Sequence, residues 1–268
     1  MKKILLLFLA AVLTGCGIYL AFYIYGGYRE DKEIKDSMKS VELLQSQAVV
    51  PEEDTGDGQA PDEPDGNTLS INPGISVDFG VLSDTNPDIM AWLHIPDTYI
   101  SFPVLQERTL MEYYYLDHDH TGQHNTAGAI FTPAEPPGTD DMHLLLFGHN
   151  SKYNDVMFGG LYELYGTYEE GMKHEYAYLV YPDHTEQWEL WCAVMSNADD
   201  GVYEVPYQSG TDSYAKLLAD IEGKSLYTDG EMPGSEDRIL VLSTCNGAAG
   251  GTKRFYTVFR YVGGDDIR

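Results

Sequence analysis

The stretch that decides the fold is Arg238-Ile239-Leu240-Val241-Leu242-Ser243-Thr244-Cys245-Asn246, which is followed closely by Lys253-Arg254-Phe255-Tyr256-Thr257-Val258-Phe259. Each is an apolar run rich in β-branched or aromatic residues, and a glycine-rich loop separates them, which is typical of two neighbouring strands. The first strand would end in a cysteine and the second would begin beside an arginine. We therefore expect the Cys245 thiol and the Arg254 guanidinium at adjacent strand ends.

His149 is the candidate partner of this cysteine, because it follows a third apolar run, residues 142–147. A free thiol has a pKa of about 8.5 and attacks a carbonyl efficiently only as the thiolate, so a catalytic cysteine needs a proton-handling partner and cationic neighbours. The other cysteines lack such a setting. Cys16 lies in an apolar N-terminal run, and Cys192 lies in a strand-like segment where we expect a buried thiol. Three widely spaced cysteines predict no disulfide framework.

The composition of the chain limits its class of function. The 268 residues, 43% of them hydrophobic, suffice for one globular domain with appendages. A formal net charge of -27 argues against a nucleic-acid partner, because phosphate binding requires clustered Lys and Arg. We interpret this acidity as a solvated surface, with steering of a cationic amine substrate as the alternative.

One polar segment contains residue types that bind metals. Its imidazole and carboxylate side chains are those of His118, Asp119, His120 and His124. The segment is rich in turn residues, which favours a solvated loop over a metal site. No metal and no cofactor is predicted.

The first 66 residues predict an anchor and a linker. An uncharged apolar run from Ile4 to Tyr25 would extend roughly 33 Å as a helix, enough to cross a bilayer. Residues 1–27 are therefore predicted to be a signal anchor, with lipidation of Cys16 as the alternative. Residues 28–66 are predicted to be a juxtamembrane helix and an acidic flexible linker, and residues 67–268 the catalytic domain.

Short apolar segments recur along the rest of the chain and predict strands. They are residues 90–95, 99–105, 128–131, 143–147, 175–181, 187–196, 238–243 and 254–262. Helical patterns are found at residues 75–86, with Ser76 or Asp78 as the N-cap, and at residues 156–165 and 213–223. Many short strands with few helices predict a mainly β fold, a closed or nearly closed β-barrel.

The segments Leu242-Ser243-Thr244-Cys245 and Gly148-His149-Asn150, together with Arg254, resemble the sortases, which are membrane-anchored cysteine transpeptidases of Gram-positive bacteria. Class B of that family fits best, because Met157-Phe158-Gly159-Gly160-Leu161 matches a class B helix and residues 213–227 match its extra helix. The resemblance implies an eight-stranded barrel with this extra helix in the insert between the sixth and seventh strands. In two places this chain departs from the family, with Thr132 where Asp is frequent and Tyr114 where Asn is common.

The resemblance also implies a mechanism and partners. Cys245 would attack a threonine carbonyl of a sorting signal and form a thioacyl enzyme, His149 would act as general acid and then base, and Arg254 would stabilise the oxyanion. Secondary contacts with the substrate are expected from Ser243, Thr244 and Asn150. The implied partners are secreted proteins with a C-terminal sorting signal, and an amine of peptidoglycan or of its lipid-linked precursor. The implied location is the cell membrane, crossed once, with the catalytic domain outside.

Three alternative functions fit the sequence less well. A papain-like cysteine hydrolase is disfavoured, because its cysteine precedes its histidine and no Cys-Gly-x-Cys signature occurs here. A pilin-polymerising sortase would carry an N-terminal lid motif, and none is apparent in the sequence upstream of Ile75. A surface-anchored barrel that binds without catalysing is disfavoured by the intact cysteine, histidine and arginine.

Overall fold

A computed structural model describes residues 2–52, 71–106, 113–133, 142–150, 156–204, 207–246 and 251–266, without the side chains of residues 2, 4–11 and 266. Its strands are β1 (Val49–Pro51), β2 (Ile75–Val77), β3 (Ile89–His94), β4 (Ser101–Gln106), β5 (Ile130–Thr132), β6 (His143–Phe147), β7 (Tyr176–Val180), β8 (His184–Asn197), β9 (Ser225–Thr228), β10 (Ile239–Cys245) and β11 (Lys253–Asp266). Its helices are α1 (Lys2–Ala48), α2 (Phe79–Thr85), α3 (Leu161–Tyr165), α4 (Tyr168–Gly171) and α5 (Asp212–Lys224), with 3-10 turns at Tyr114–Leu116 and Gly201–Tyr203.

Eight strands close into a barrel. They follow the order β11-β10-β6-β5-β4-β3-β7-β8, and pairing of β8 with β11 closes the ring. Strand β9 pairs with β8 beyond the stretch of β8 that contacts β7. Closure pairs the two outermost strands with each other, so the ring has no open edge among the described strands. The predicted mainly β, closed eight-stranded barrel is confirmed.

Alternation along the strands divides the apolar side chains between the inside and the outside of the barrel. On β10, Leu240 and Leu242 belong to the cluster that fills the barrel, whereas Ile239 and Val241 belong to a second cluster beneath α5. Helix α5 buries side chains at helical spacing, namely Tyr214, Leu217, Leu218 and Ile221. It lies between β8 and β10, the sixth and seventh strands of the barrel, as the class B resemblance implied.

The C-terminal half of α1 is packed against the barrel. Ile34 and Val41 join the interior cluster, and Leu44 joins a third cluster on the outer face. After the helix ends, β1 pairs with β2, and Glu52 N donates to Gly74 O at 3.0 Å. The intervening residues 53–70, where the linker and the domain boundary were predicted, lie outside the described residues. Within the part of the chain that the structure describes, no helix is both long enough and apolar enough to cross a membrane.

Two predicted helices are wrong in part. Ile75–Val77 form strand β2, and α2 follows with Asp78 as its N-cap, whose carboxylate accepts from the Gly80 and Val81 amides. Residues 75–77 form a strand because they pair with β1, and the local sequence pattern cannot reveal a partner so far away in the chain. The helix predicted over residues 156–165 is reduced to α3, because Met157 has a φ of +49° and pairs with Asn150.

Candidate active site

Cys245 and His149 are brought to the same end of the barrel by two parallel strands. Strands β6 and β10 pair in parallel, so their carboxyl ends share one edge. Past the end of β6, Gly148 N donates to Ser243 O at 3.1 Å, and Thr244 Oγ1 donates to Gly148 O at 2.8 Å. His149 follows Gly148 beyond the end of β6, and Cys245 follows Thr244 as the last residue of β10. The histidine predicted from a distant part of the sequence therefore lies beside the cysteine strand.

Arg254 lies opposite Cys245 across the antiparallel pair β10–β11. The predicted placement of thiol and guanidinium at adjacent strand ends is confirmed. The Arg254 Nη1 donates to the carbonyls of Gly251 at 2.9 Å and Lys253 at 3.0 Å, which holds the guanidinium against its own loop. Its Nε and Nη2 donors make no hydrogen bond to the described residues and are left for a ligand.

The side chains of Cys245, His149 and Arg254 line one cleft with a volume of about 140 Å³. The rest of the lining comes from Tyr113, Leu116, Phe131, Phe147, Gly148, Ser243 and Thr244. No carboxylate belongs to this lining as far as the structure describes it. A guanidinium is always protonated, so the cleft carries a positive charge at every physiological pH.

An aromatic wall forms one side of the cleft, and the sequence interpretation did not anticipate it. The Tyr113 ring lies 6.4 Å from the Phe131 ring and 5.8 Å from the Phe147 ring, centre to centre, in edge-to-face contacts. Both phenylalanines were predicted only as strand residues. The sequence signal that could have revealed them is their position at the ends of two predicted strands, one of which directly precedes Gly148 and His149.

The residues predicted to make secondary substrate contacts hold the cleft together through protein partners. The Ser243 hydroxyl shares a 2.9 Å hydrogen bond with the Tyr203 hydroxyl. Burial raises the pKa of Tyr203 to about 12, so this phenol stays neutral. Asn150 Nδ2 donates to the Cys245 carbonyl at 2.7 Å, which adds a third hydrogen bond between the histidine segment and the cysteine strand.

A backbone carbonyl orients His149. Its Nε2 lies 2.6 Å from Leu116 O, in the 3-10 turn Tyr114–Leu116. Sequence reasoning missed this partner, because a carbonyl belongs to every residue and has no signature. Among the contacts of the described residues, none joins the Cys245 sulfur to the imidazole.

The histidine-rich segment near the cleft is organised by hydrogen bonds within its own loop. Asp119 Oδ1 accepts from Thr121 N at 2.9 Å and from Gln123 N at 3.2 Å. His120 is 2% exposed, and burial lowers its pKa. Over the ranges that the structure describes, no three side chains are arranged to hold a metal ion.

Comparison with known proteins gives a consistent answer. No protein-family model matches the sequence. Sortase B of Listeria monocytogenes is 24% identical over 240 residues, which are 85% of this chain and 87% of that protein. The X-ray structure of Clostridium perfringens sortase B is 29% identical, with a TM-score of 0.62, and the match covers 69% of this chain and 100% of that one. The Staphylococcus aureus sortase B–substrate complex is 26% identical, with a TM-score of 0.61, over 69% of this chain and 84% of that one.

These relatives share their fold and their enzyme class with this chain, which is therefore a sortase, a cysteine transpeptidase. Within the family it belongs to class B, so the family predicted from the sequence is confirmed.

Proposed function

We propose that this sortase cleaves the sorting signal of secreted proteins after a threonine and transfers the acyl group to a cell-wall peptide amine. The observation that carries the proposal is the convergence of Cys245, His149 and Arg254 on one cleft. The S. aureus relative has been solved as a complex with a substrate, which supports a substrate-binding role for this chain.

In the first half-reaction, the Cys245 thiolate attacks the threonine carbonyl carbon and a carbon–sulfur bond forms. The carbonyl oxygen becomes an oxyanion, which the Nε and Nη2 donors of Arg254 stabilise. The amide bond that follows the threonine then breaks, and the protonated imidazole of His149 gives its proton to the departing amine. The product is a thioester on Cys245.

In the second half-reaction, an incoming amine attacks the thioester carbon. His149, now neutral, accepts a proton from that amine, so the same side chain serves as acid and then as base. The carbon–sulfur bond breaks, the thiolate is regenerated, and a new amide joins the protein to its acceptor. We expect the acceptor to be an amine of peptidoglycan or of its lipid-linked precursor.

We place the enzyme at the cell membrane, with its catalytic domain outside. The support is the apolar run Ile4–Tyr25, and the large apolar side chains of α1 that are described within it are exposed. Exposed examples include Leu13, Leu20, Phe22 and Ile24. Exposed apolar side chains of this size are costly in water and favourable in lipid.

The test is intact-mass spectrometry of the full-length protein in detergent, incubated with a panel of sorting-signal peptides, with and without an amine acceptor. We expect an acyl adduct on Cys245 that the amine discharges. Cys245→Ala should form no adduct. Cys16→Ala, which removes another exposed thiol, should form the adduct normally. If no peptide gives an adduct while a thiol reagent still labels Cys245, the proposed reaction is wrong.

A further inference from the structure

The hydrogen bond between His149 and Leu116 assigns the proton on the imidazole. A carbonyl oxygen only accepts, so the His149 Nε2 that lies 2.6 Å from Leu116 O must carry a hydrogen. In a neutral imidazole one nitrogen is the donor and the other the acceptor. The lone pair of neutral His149 is therefore on Nδ1, and Nδ1 has no hydrogen-bond partner among the described residues.

The carbonyl that fixes this tautomer is itself held firmly. Leu116 N donates to Tyr113 O at 3.0 Å, and Ala129 N donates to the carbonyl of the preceding residue, Tyr115, at 3.0 Å. The Tyr115 side chain is 1% exposed, and its hydroxyl donates to Asp88 Oδ2 at 2.9 Å. The Leu116 carbonyl is thus presented to the imidazole by a turn that is packed from behind.

Gly128 lies against both members of this contact. Its φ is +59°, and a Cβ at this position would lie 2.7 Å from Leu116 O and 2.9 Å from His149 Cδ2. Both distances are well inside van der Waals contact. The second atom is the ring carbon bonded to Nε2, so any side chain at position 128 would enter the space between the carbonyl and the ring.

We propose that Gly128 and the Leu116 carbonyl are the positioning groups for His149, and that they leave Nδ1 as the nitrogen that exchanges a proton with the substrate. The assignment rests on the proposed function of His149 as acid and base. The imidazolium gives its Nδ1 proton to the departing amine, and the neutral ring takes a proton at Nδ1 from the incoming amine. Throughout both steps Nε2 keeps its hydrogen and its bond to Leu116 O.

The test compares two glycine-to-alanine variants of the full-length protein. Gly122 lies in the same loop with a φ of +78°, but an added Cβ there would meet only Tyr114 Oη, at 4.0 Å. Gly122→Ala therefore shares the backbone strain of Gly128→Ala without the collision at His149. We expect Gly128→Ala to lower kcat for acyl transfer by about tenfold or more, and Gly122→Ala by no more than about twofold.

Nitrogen-15 NMR of the imidazole supplies a readout that general loosening of the loop would not mimic. The His149 signals can be identified by their loss in His149→Gln. Wild type and Gly122→Ala should show the Nε2–H tautomer at high pH, and Gly128→Ala should show a mixture with the Nδ1–H tautomer.

An Nδ1–H tautomer in the wild-type protein would overturn the proposal, even if Gly128→Ala does not fold. Unchanged tautomer and turnover in a folded Gly128→Ala would overturn it as well. The tautomer is measured without any peptide, so a failure of the proposed transpeptidation, seen as the absence of an acyl adduct, is distinguished from a failure of this inference.

Discussion

The three cysteine thiols of the chain lie in different surroundings. Cys192 is buried, and burial raises its pKa above the ordinary value, so it behaves as a small apolar side chain. This confirms its predicted burial. Cys16 is exposed on α1, and Cys245 is exposed beside Arg254 in the cleft. Of the three, Cys245 combines access with a permanent cation, which is what a nucleophile requires.

At Arg254 we expect the shape of the side chain to matter as much as its charge. Arg254→Ala should lower kcat/KM by about a hundredfold, the order found when one oxyanion donor is lost. Arg254→Lys keeps the charge without the planar fork, so its rate should fall between that of alanine and wild type. Lys253→Ala removes an exposed neighbouring cation and is the matched control. Near-normal turnover of Arg254→Ala would exclude the oxyanion role.

His143 makes stability depend on pH. Burial lowers its pKa to about 3, whereas an unfolded histidine titrates near 6.5. Below about pH 6.5 the unfolded chain therefore binds a proton that the folded chain refuses, and stability falls as the pH drops toward 3. By pH 5 the loss amounts to about 2 kcal/mol. His143→Phe should lose less stability than wild type between pH 7 and pH 5 in urea titrations. Equal losses in the two proteins would mean that buried His143 does not cause this pH dependence.

At the scale of single residues, the residue types that meet in the cleft were predictable and their orientation was not. The thiol, the imidazole and the guanidinium have residue types that suit nucleophile, acid–base and oxyanion roles, so the sequence pointed to Cys245, His149 and Arg254. The partner of His149 is a main-chain oxygen, and the space around it depends on the absence of a side chain at Gly128. Neither feature is visible until the loop is folded against the barrel.

At the scale of elements, helix α1 contacts the loop that orients the histidine. Asn125 Nδ2 donates to Glu33 O at 3.2 Å, and Thr126 Oγ1 donates to the Glu33 carboxylate at 3.3 Å. Leu44 belongs to the same apolar cluster as Tyr115. The predicted juxtamembrane helix is therefore part of the support of the candidate active site. The predicted domain boundary at residue 67 stays a prediction, and we propose that the functional unit includes residues 33–52.

Two adjacent leucines of α1 test this docking. Leu44 is 3% exposed and Leu43 is 58% exposed. Leu44→Ala should lower the free energy of unfolding by about 2–5 kcal/mol through lost burial and a residual cavity. Leu43→Ala, the same change on the solvent side, should stay within about 0.5 kcal/mol of wild type. Denaturant titration of the full-length protein measures both, and equal small effects would mean that the helix is not docked in solution.

At the scale of the whole molecule, the strands were predictable because each contains its own pattern. Ring closure and the number of strands were implied by the family resemblance, with which the strand pattern was consistent. Which strands pair with one another was harder to predict from these local patterns. The local pattern of strand β2 predicts the start of a helix, because its partner, β1, precedes it by more than twenty residues and lies outside that pattern. The packing of α1 against the barrel was not predicted either, because its apolar spacing suits a membrane-proximal helix as well as a docked one.

The β1–β2 pair determines which segment can set the distance between the proposed membrane span and the cleft. Because Val49–Pro51 pair with Ile75–Val77, the acidic segment between them begins and ends at the same place on the domain. Its length then adds nothing to the distance between the proposed membrane span and the cleft, and loop-closure entropy grows only slowly with added residues. That distance depends instead on the length of helix α1. One residue inserted between Tyr25 and Ile34 would move the barrel about 1.5 Å farther from the proposed membrane span. It would also turn the cleft by about 100° around the helix axis.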